Sequence, residues 1–198
     1  ARRYHRAGNV MSTSTSKPTS KPNLDVVIRA AVPADAARLA ELAIRTFTDT
    51  FAAQNPPAQM AIHVARTYDP DIQRAEIENP HSQTLLVEID GRAIAYTQLR
   101  DGPDPPPPPG CVTGPDPIEI HRFYVDQPWH GRGIAQRMMD AVFDHARSVH
   151  KRTIWLGVWE HNPRAITFYR KCGFTLVGEH GFLFADEMQT DLVMARAV

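Results

Sequence analysis

From residue 26 onward, apolar and polar residues follow two different periods along this chain. Period-two alternation and short apolar runs predict strands at residues 26–30, 84–89, 93–100, 118–125, 153–158, 174–177 and 188–195. Spacing near 3.6 predicts helices at residues 33–47, 56–67, 71–77, 133–150 and 163–171. Strands and helices in this order predict a mixed α/β sheet with helices on its faces.

Residues at the ends of these segments support the assignment. Pro33 suits the first turn of the first helix, along which Leu39 and Phe47 keep to one face. The dipeptide Asp90-Gly91 between two strands is a strong β-hairpin signal. Gly173 suits the left-handed position that ends a helix.

A proline-rich insert at residues 102–117 interrupts the pattern and contains eight of the 17 prolines. The run Pro105 to Pro109 favours the polyproline II conformation, and proline cannot donate to a sheet ladder. We interpret the insert as a stiff loop. A ligand for a proline-binding module is the alternative.

Residues 1–24 carry five basic residues and no acidic ones among Ser, Thr and Pro. Such a segment buries too little apolar surface to offset the entropy of ordering, so we expect a disordered tail before one domain at residues 25–198. An acid-free segment rich in Arg and Ser is also typical of an organellar transit segment.

Composition excludes several classes of protein. Basic and acidic residues number 22 each, so no net charge favours nucleic acid or a membrane as a partner. No stretch approaches the roughly 18 apolar residues of a membrane span. Cys111 and Cys172 are too few for a disulfide framework, and two free thiols favour a cytoplasmic protein. The histidines show no metal-binding spacing, so we predict no metal site.

The most informative segment joins the strand ending at Val125 to the helix that begins near Gly133. Glycines let a main chain approach a bulky ligand closely, and the first amides of a helix lack internal partners. Together they form an anion site suited to a diphosphate, to which Arg132 can add charge. A Walker motif is excluded because no Lys follows Gly133, and Gln136 breaks the dinucleotide fingerprint.

In this segment the chain resembles the GNAT N-acetyltransferases, whose central motif is V-x-x-x-x-[QR]-x-x-G-x-[GA]. Val125, Gly133 and Ala135 match it, while His130 stands at the Gln/Arg position, where its backbone amide can serve equally. A second family segment, N-x-x-A-x-x-x-Y-x-x-x-G-F, is matched at Asn162, Ala165, Tyr169, Gly173 and Phe174. The resemblance covers residues 26–198 apart from the insert.

The resemblance implies a mostly antiparallel sheet in which two splayed parallel strands, residues 118–125 and 153–158, form an acetyl-CoA cleft. It implies that Phe123 and Val125 offer main-chain groups to the pantetheine and that Asn162 contacts this arm. The diphosphate would be held by the turn and the start of the helix: His130, Gly131, Arg132, Gly133, Ile134, Ala135 and Gln136. Acetyl-CoA would be a co-substrate that needs no metal.

Acetyl transfer requires a neutral amine, yet an amine with a pKa of ~10.4 is only about one part in a thousand neutral at pH 7, a deficit of roughly 4 kcal/mol. A general base removes the proton. Period-two alternation puts Glu119 and His121 on the same face as Phe123 and Val125. In histone-type members of the family the base is a Glu six residues before the motif Val, which falls on Glu119.

We therefore predict Glu119 as the base, with His121 as second choice and Glu160 as a weaker third. The resemblance makes Tyr169 the general acid that protonates the departing thiolate. Ordinary strand or core packing is the alternative for each of these residues.

The sequence does not identify the acceptor amine. The candidates are a polyamine, an amino-acid-like metabolite, an antibiotic and a protein N-terminus. We expect the helices at residues 33–77, the insert and the last two strands to hold it. A non-catalytic acyl-CoA sensor is the alternative function. Nucleic-acid binding through the basic tail is disfavoured, because five charges give only non-specific affinity. Family members are often dimers, so a homodimer is an option.

Overall fold

A computed structural model describes residues 25–102 and 106–198. The strands are β1 (Val26–Ala30), β2 (Ser82–Ile89), β3 (Arg92–Arg100), β4 (Pro117–Val125), β5 (Thr153–Trp159), β6 (Thr175–Phe184) and β7 (Glu187–Ala197). The helices are α1 (Ala36–Phe51), α2 (Pro57–Thr67), α3 (Pro70–Glu78), α4 (Ile134–Ser148) and α5 (Pro163–Lys171). The predicted tail at residues 1–24 lies outside the described residues.

The seven strands of the described residues form one sheet in the order β1-β2-β3-β4-β5-β7-β6, in which β4 and β5 are the one parallel pair. The remaining neighbours are antiparallel. This confirms the predicted mixed α/β fold. The hairpin signal is also confirmed, since Asp90 and Gly91 both adopt the positive φ angles of a tight turn.

Helices cover both faces of the sheet. The apolar stripe of α4 packs with Ile118 and Leu156, and α5 adds Ile166 to the same face. On the opposite face Leu39 and Phe47 of α1 pack with α2 and the sheet. Alternate residues of a strand therefore enter two different cores, as a sheet covered on both faces requires.

The last two strands differ from the prediction. The strand predicted at residues 174–177 extends to Phe184, and β6 and β7 form a long hairpin closed by Ala185 and Asp186. Ala185 has a φ of +51°, a conformation for which the sequence normally supplies Gly or Asn. The sequence therefore carries no turn signal at this point, and the predicted strand pair is shorter than the observed one.

The insert also ends earlier than predicted, because Pro117 begins β4. Its described part packs Cys111 and Val112 against Trp155, Val193 and Ala195 on the sheet. Residues 103–105 of the insert lie outside the described residues.

Candidate functional site

The site lies where the parallel strands separate. β4 and β5 are paired from Pro117 with Thr153 to Glu119 with Trp155, and the pairing stops there. On its other edge β4 continues along β3, and Asp126 N donates to Ile94 O at 2.8 Å. Because alternate residues of an antiparallel strand bond to the same neighbour, Phe123 and Val125 direct their main-chain groups away from β3, into the gap.

The start of α4 closes one end of this gap. Gly131 and Gly133 have φ angles of +73° and +79°, and a Cβ on either would meet no atom within 4 Å. These glycines are needed for the backbone conformation, and they leave the turn open to a ligand. No side chain caps α4 at Gly133, so its first amides face the opening. This combination favours binding of an anion such as a diphosphate.

A cleft of about 850 Å³ runs from this turn along β4 to α5, and hereafter it is called the cleft. Nearly all the residues predicted to contact the cofactor line it: Phe123, Val125, His130, Gly131, Gly133, Ile134, Ala135, Gln136 and Asn162. Arg164 and Lys171 add positive charge to its wall. Arg132 is the exception, since its guanidinium lies 5.0 Å from the centroid of the Trp129 ring instead of lining the cleft.

His130 has a structural role that its family position did not predict. Its Nδ1 lies 2.9 Å from Nη1 of Arg164, and its Nε2 lies 2.7 Å from the carbonyl oxygen of Val125. Because an arginine can only donate, Nδ1 is the acceptor and Nε2 carries the proton given to Val125. The imidazole therefore fixes the turn to the end of β4 and holds Arg164 beside the cleft.

A second cavity of about 470 Å³, hereafter the chamber, adjoins the cleft. Phe123, Tyr124, Asn162, Ala165 and Tyr169 line both cavities. Tyr169 is buried, and burial raises the pKa of its hydroxyl, which keeps it protonated at neutral pH. The Asn162 side chain caps α5 by accepting from Ala165 N at 3.1 Å.

The prediction that Glu119 and His121 share a face with Phe123 and Val125 is wrong. The β3–β4 register shifts by one residue, so that Gln98 pairs with Arg122 and Leu99 with Ile120. This bulge at His121 reverses the alternation. Phe123 packs on the side of α5, while Arg122 bonds to Glu76 of α3 on the opposite face.

Glu119 and His121 nevertheless lie together, with Glu119 Oε1 3.4 Å from His121 Nδ1. Of the two, His121 lines the chamber and Glu119 lines neither cavity. Burial lowers the pKa of His121 despite the adjacent carboxylate, so its imidazole is a neutral proton acceptor at pH 7. Glu160 is exposed and lines neither cavity.

The chamber is lined by part of the region that we expected to hold the acceptor. Helices α1 and α2 and the hairpin β6–β7 contribute residues to it, whereas no described residue of the insert does. Sequence reasoning missed Asp191 of β7, a chamber residue whose pKa burial raises to about 6. No sequence motif identifies a single acidic residue in a hairpin as part of a site. Asp191 faces the chamber because β7 packs beside β5.

Two further features concern the described residues as a whole. Within residues 25–102 and 106–198, no three His, Cys, Asp or Glu side chains are grouped so that they could hold a metal ion. Across the same residues, none of the helices is both long enough and apolar enough to cross a membrane.

Comparison with known proteins agrees with this geometry. The sequence model of the acetyltransferase (GNAT) family matches residues 38–174. An uncharacterized N-acetyltransferase of Lactobacillus delbrueckii subsp. lactis is 33% identical over 153 residues, which are 77% of this chain and 86% of the relative. The N-alpha-acetyltransferase RimI of Mycobacterium tuberculosis is 30% identical over 156 residues, 77% of this chain and 80% of that protein.

A shorter match, 33% identical over 66 residues, covers 33% of this chain and 43% of the spermine/spermidine N(1)-acetyltransferase of Bacillus subtilis. Among solved structures, the PaiA N-acetyltransferase of Thermoplasma acidophilum in complex with coenzyme A superposes with a TM-score of 0.71 at 17% identity. That match covers 88% of this chain and 100% of the other, and it shows that the fold is shared.

Proposed function

The chain belongs to the GNAT family and is an N-acetyltransferase whose co-substrate is acetyl-CoA, and on that premise we propose that it acetylates a primary amine by direct attack in a ternary complex. The observation that carries this proposal is the pair of adjoining cavities that meet at Tyr169. The cleft has the anion-binding turn and the strand edges that a CoA diphosphate and pantetheine require. The chamber offers a separate space for the acceptor.

We assign the CoA contacts to the residues of the cleft. The first amides of α4, at Ile134, Ala135 and Gln136, would bind the diphosphate, and the open edge of β4 would pair with the pantetheine amides. Arg164 and Lys171 would add charge to the phosphate end of the cleft. Arg132 lies outside the lining, so we keep it only as a candidate for a more exposed phosphate.

The proton transfers follow the bonds that form and break. The acceptor ammonium would first lose one proton to the Glu119–His121 pair. The neutral nitrogen would then bond to the thioester carbonyl carbon, and its second proton would replace the one that Tyr169 gives to the thiolate. Glu119 would hold the Nδ1 proton of His121, which leaves the Nε2 lone pair as the acceptor. When the carbon–sulfur bond breaks, Tyr169 would protonate the CoA thiolate. Proton donation by an ordinary phenol to a thiolate is uphill by about 2 kcal/mol, and the raised pKa of Tyr169 adds to this cost.

We also propose a cellular compartment for the protein and a class of acceptor. Cys111 and Cys172 are both free thiols, which supports a reducing compartment such as the cytoplasm. The acceptor is either a small amine or a protein amine, since the M. tuberculosis relative is named as an N-alpha-acetyltransferase and the B. subtilis relative as a polyamine acetyltransferase.

The test combines binding and turnover. Calorimetry should detect CoA binding to the folded protein, and a panel of amines with acetyl-CoA should release free CoA thiol, with the acetylated product identified by mass. CoA binding without thiol release over the whole panel would favour a non-catalytic acyl-CoA sensor. A folded protein with no affinity for CoA would overturn the proposal.

A further inference from the structure

The chamber is walled largely by aromatic rings. They come from α1, α2 and the residue that follows it, α5 and the three strands β4, β5 and β6, and they are Phe47, Phe51, His63, Tyr68, Phe123, Tyr124, Trp159, Tyr169, Phe182 and Phe184. Several are packed against each other: Phe51 and Trp159 have centroids 5.7 Å apart, and Phe47 and Phe184 have centroids 6.0 Å apart. Such a wall favours a flat apolar ligand and also attracts a cation to the ring faces.

His63 belongs to this aromatic wall and carries no charge at neutral pH. Its ring stacks at 4.6 Å on Phe47 and at 4.9 Å on Phe184. Burial lowers its pKa to about 4, with a smaller contribution from the positive charge of Arg122. The histidine therefore adds a neutral ring to the wall and no competing charge.

The chamber holds one acidic residue and two arginines. Arg122 is paired with Glu76, and Arg66 lies 3.6 Å from Asp186, so each arginine already faces a carboxylate that does not line the chamber. Among the described residues that line the chamber, Asp191 is the one acidic residue. A ligand in this chamber meets a single carboxylate in an aromatic surround.

The structure gives Asp191 a built position. Its cross-strand neighbours are Trp159 of β5 and His180 of β6. A Cβ placed on Gly157 of β5 would lie 3.1 Å from Asp191 Oδ2 and 3.1 Å from His180 Nε2. Glycine at this position therefore provides the room in which both side chains lie over the strand that borders the site. A larger residue there would displace the carboxylate.

We propose that the chamber binds a monocationic primary amine carried on an apolar, ring-containing body, and that Asp191 binds its ammonium group. This inference rests on the proposed acetyltransferase function and specifies its acceptor. The rings of the chamber bury the body of the substrate, and Asp191 supplies the opposite charge. The two roles are separate, since His121 and Glu119 take the proton and Asp191 holds the amine in place.

The same observations disfavour the other acceptors. A polyamine carries two or more positive charges along its length, and the residues that line the chamber offer a carboxylate, Asp191, for only one of them. A peptide N-terminus brings several backbone amides that need hydrogen-bond partners, and beside its rings the chamber offers few uncharged polar side chains, those of Thr67, Asn162 and Gln189. A single positive charge on an apolar ring matches both the charge and the lining of the chamber.

The first experiment compares three acceptors with the full chain and saturating acetyl-CoA: 2-phenylethylamine, spermidine, and a hexapeptide that begins with alanine. We expect kcat/KM for 2-phenylethylamine to exceed the other two values by about tenfold or more, as burial of one phenyl ring accounts for at least that factor. A higher kcat/KM for spermidine or for the peptide would overturn the inference and leave the proposed function standing.

The second experiment tests Asp191 directly. Asp191→Asn should raise KM for 2-phenylethylamine by about ten- to a hundredfold, the range of a hydrogen bond to a charged group, with a smaller effect on kcat and none on CoA affinity. Gly157→Ala should act in the same direction by displacing the carboxylate. Glu179→Gln, an exposed change in the same hairpin that lines neither cavity, is the matched control. An unchanged KM in folded Asp191→Asn would overturn the assignment.

Failure of the proposed function is distinguished by a binding measurement that needs no turnover. With CoA-saturated protein, 2-phenylethylamine should bind more tightly than its neutral analogue 2-phenylethanol, and Asp191→Asn should remove this preference. If no amine is acetylated but the preference exists and is lost in the variant, the binding inference stands while catalysis does not. Equal binding of amine and alcohol by the wild-type protein would contradict the inference by itself.

Discussion

Tyr169 lies at the junction of the cleft and the chamber, where a thioester sulfur and an attacking amine would meet. The ring of the preceding residue, Phe168, lies 5.6 Å from that of Tyr169, and the ring of Phe123 lies 6.1 Å from it. These ring contacts hold the side chain in place and do not involve its hydroxyl group. The residue therefore combines a rigid position with a proton that burial keeps in place.

We predict that Tyr169→Phe lowers kcat by about tenfold or more while CoA affinity stays within about twofold, because the change removes one proton donor and no apolar surface. Steady-state kinetics and calorimetry with CoA measure the two effects. Tyr96→Phe is the matched control, since Tyr96 is buried and lines neither cavity. Unchanged turnover in Tyr169→Phe would remove this residue from the mechanism.

A second residue-scale prediction concerns Asp35, a buried carboxylate at the start of α1. Arg29 donates to both of its oxygens, at 2.7 Å and 2.8 Å, and Val32 N donates at 2.9 Å. The hydrogen bonds from Arg29 hold the pKa of Asp35 at about 2, below its ordinary value of 3.8. The depressed pKa means that Asp35 stabilises the fold above pH 3.8, and that this contribution is lost as the pH falls toward 2.

We expect Asp35→Asn to lower the free energy of unfolding by about 2 kcal/mol at pH 7, and the difference from wild type to shrink as the pH falls below 4. Urea unfolding at a series of pH values measures it. Asp25→Asn, an exposed change nearby, should show no such trend. A difference that stays constant between pH 7 and pH 2 would contradict the ion-pair explanation.

At the scale of elements, the turn before α4 supports the strongest binding prediction. Gly133→Ala should cost about 1 kcal/mol of stability, because its φ of +79° is unfavourable for alanine and the methyl group meets open space. It should also weaken CoA binding, since the methyl group and any relaxation of the turn disturb the amides that face the diphosphate.

Gly91→Ala is a matched control for that change. Gly91 has a φ of +74° with nothing within 4 Å of a Cβ, and it lies in the β2–β3 hairpin away from the cleft. The two variants should lose similar unfolding free energy, but only Gly133→Ala should lose CoA affinity in calorimetry. Equal CoA affinity in both variants would argue against a main-chain diphosphate site at this turn.

Sequence periodicity predicted the elements whose signals are local. Pro163 at the start of α5 and Gly173 just beyond its end bounded that helix correctly, and the turn before α4 carried its glycines in the motif. The β6–β7 hairpin was underestimated because Ala185 takes a positive φ that tertiary packing imposes. The bulge at His121 was missed for a similar reason. No residue type marks the position of an extra residue in a strand, and the bulge is visible only in the pairing of β4 with β3.

The candidate site shows the same division between local and long-range information. Most of the residues proposed to bind CoA lie close together in the sequence, from Phe123 to Gln136, so a motif could identify them. The chamber is assembled from α1, α2, α5 and strands β4 to β7, which lie far apart in sequence. Asp191 can therefore be recognised as a chamber residue only from the strand order, which places β7 beside β5.

At the scale of the whole molecule, the sheet consists of two parts joined by a short seam. Strands β1 to β4 form one part and β5 to β7 the other, and the register between them runs over three pairs, from Pro117–Thr153 to Glu119–Trp155. Below the seam the strands diverge into the cleft. A ligand that fills the cleft thus contacts both parts, through β4 and α4 on one side and α5 on the other.

This arrangement predicts an uneven effect of CoA on hydrogen exchange. Amides whose exchange requires the cleft to open, in β4 and β5, should slow in proportion to ligand binding, by about a hundredfold (2.7 kcal/mol) when free CoA is 100 times its dissociation constant. The edge strand β1 is separated from the cleft by β2 and β3, so its fraying leaves the site intact and its exchange should not change. Mass-spectrometric exchange with and without CoA measures both. Equal slowing in β1 and β5 would mean that the sheet opens as one unit, and no slowing in β5 would mean that CoA does not bridge the seam.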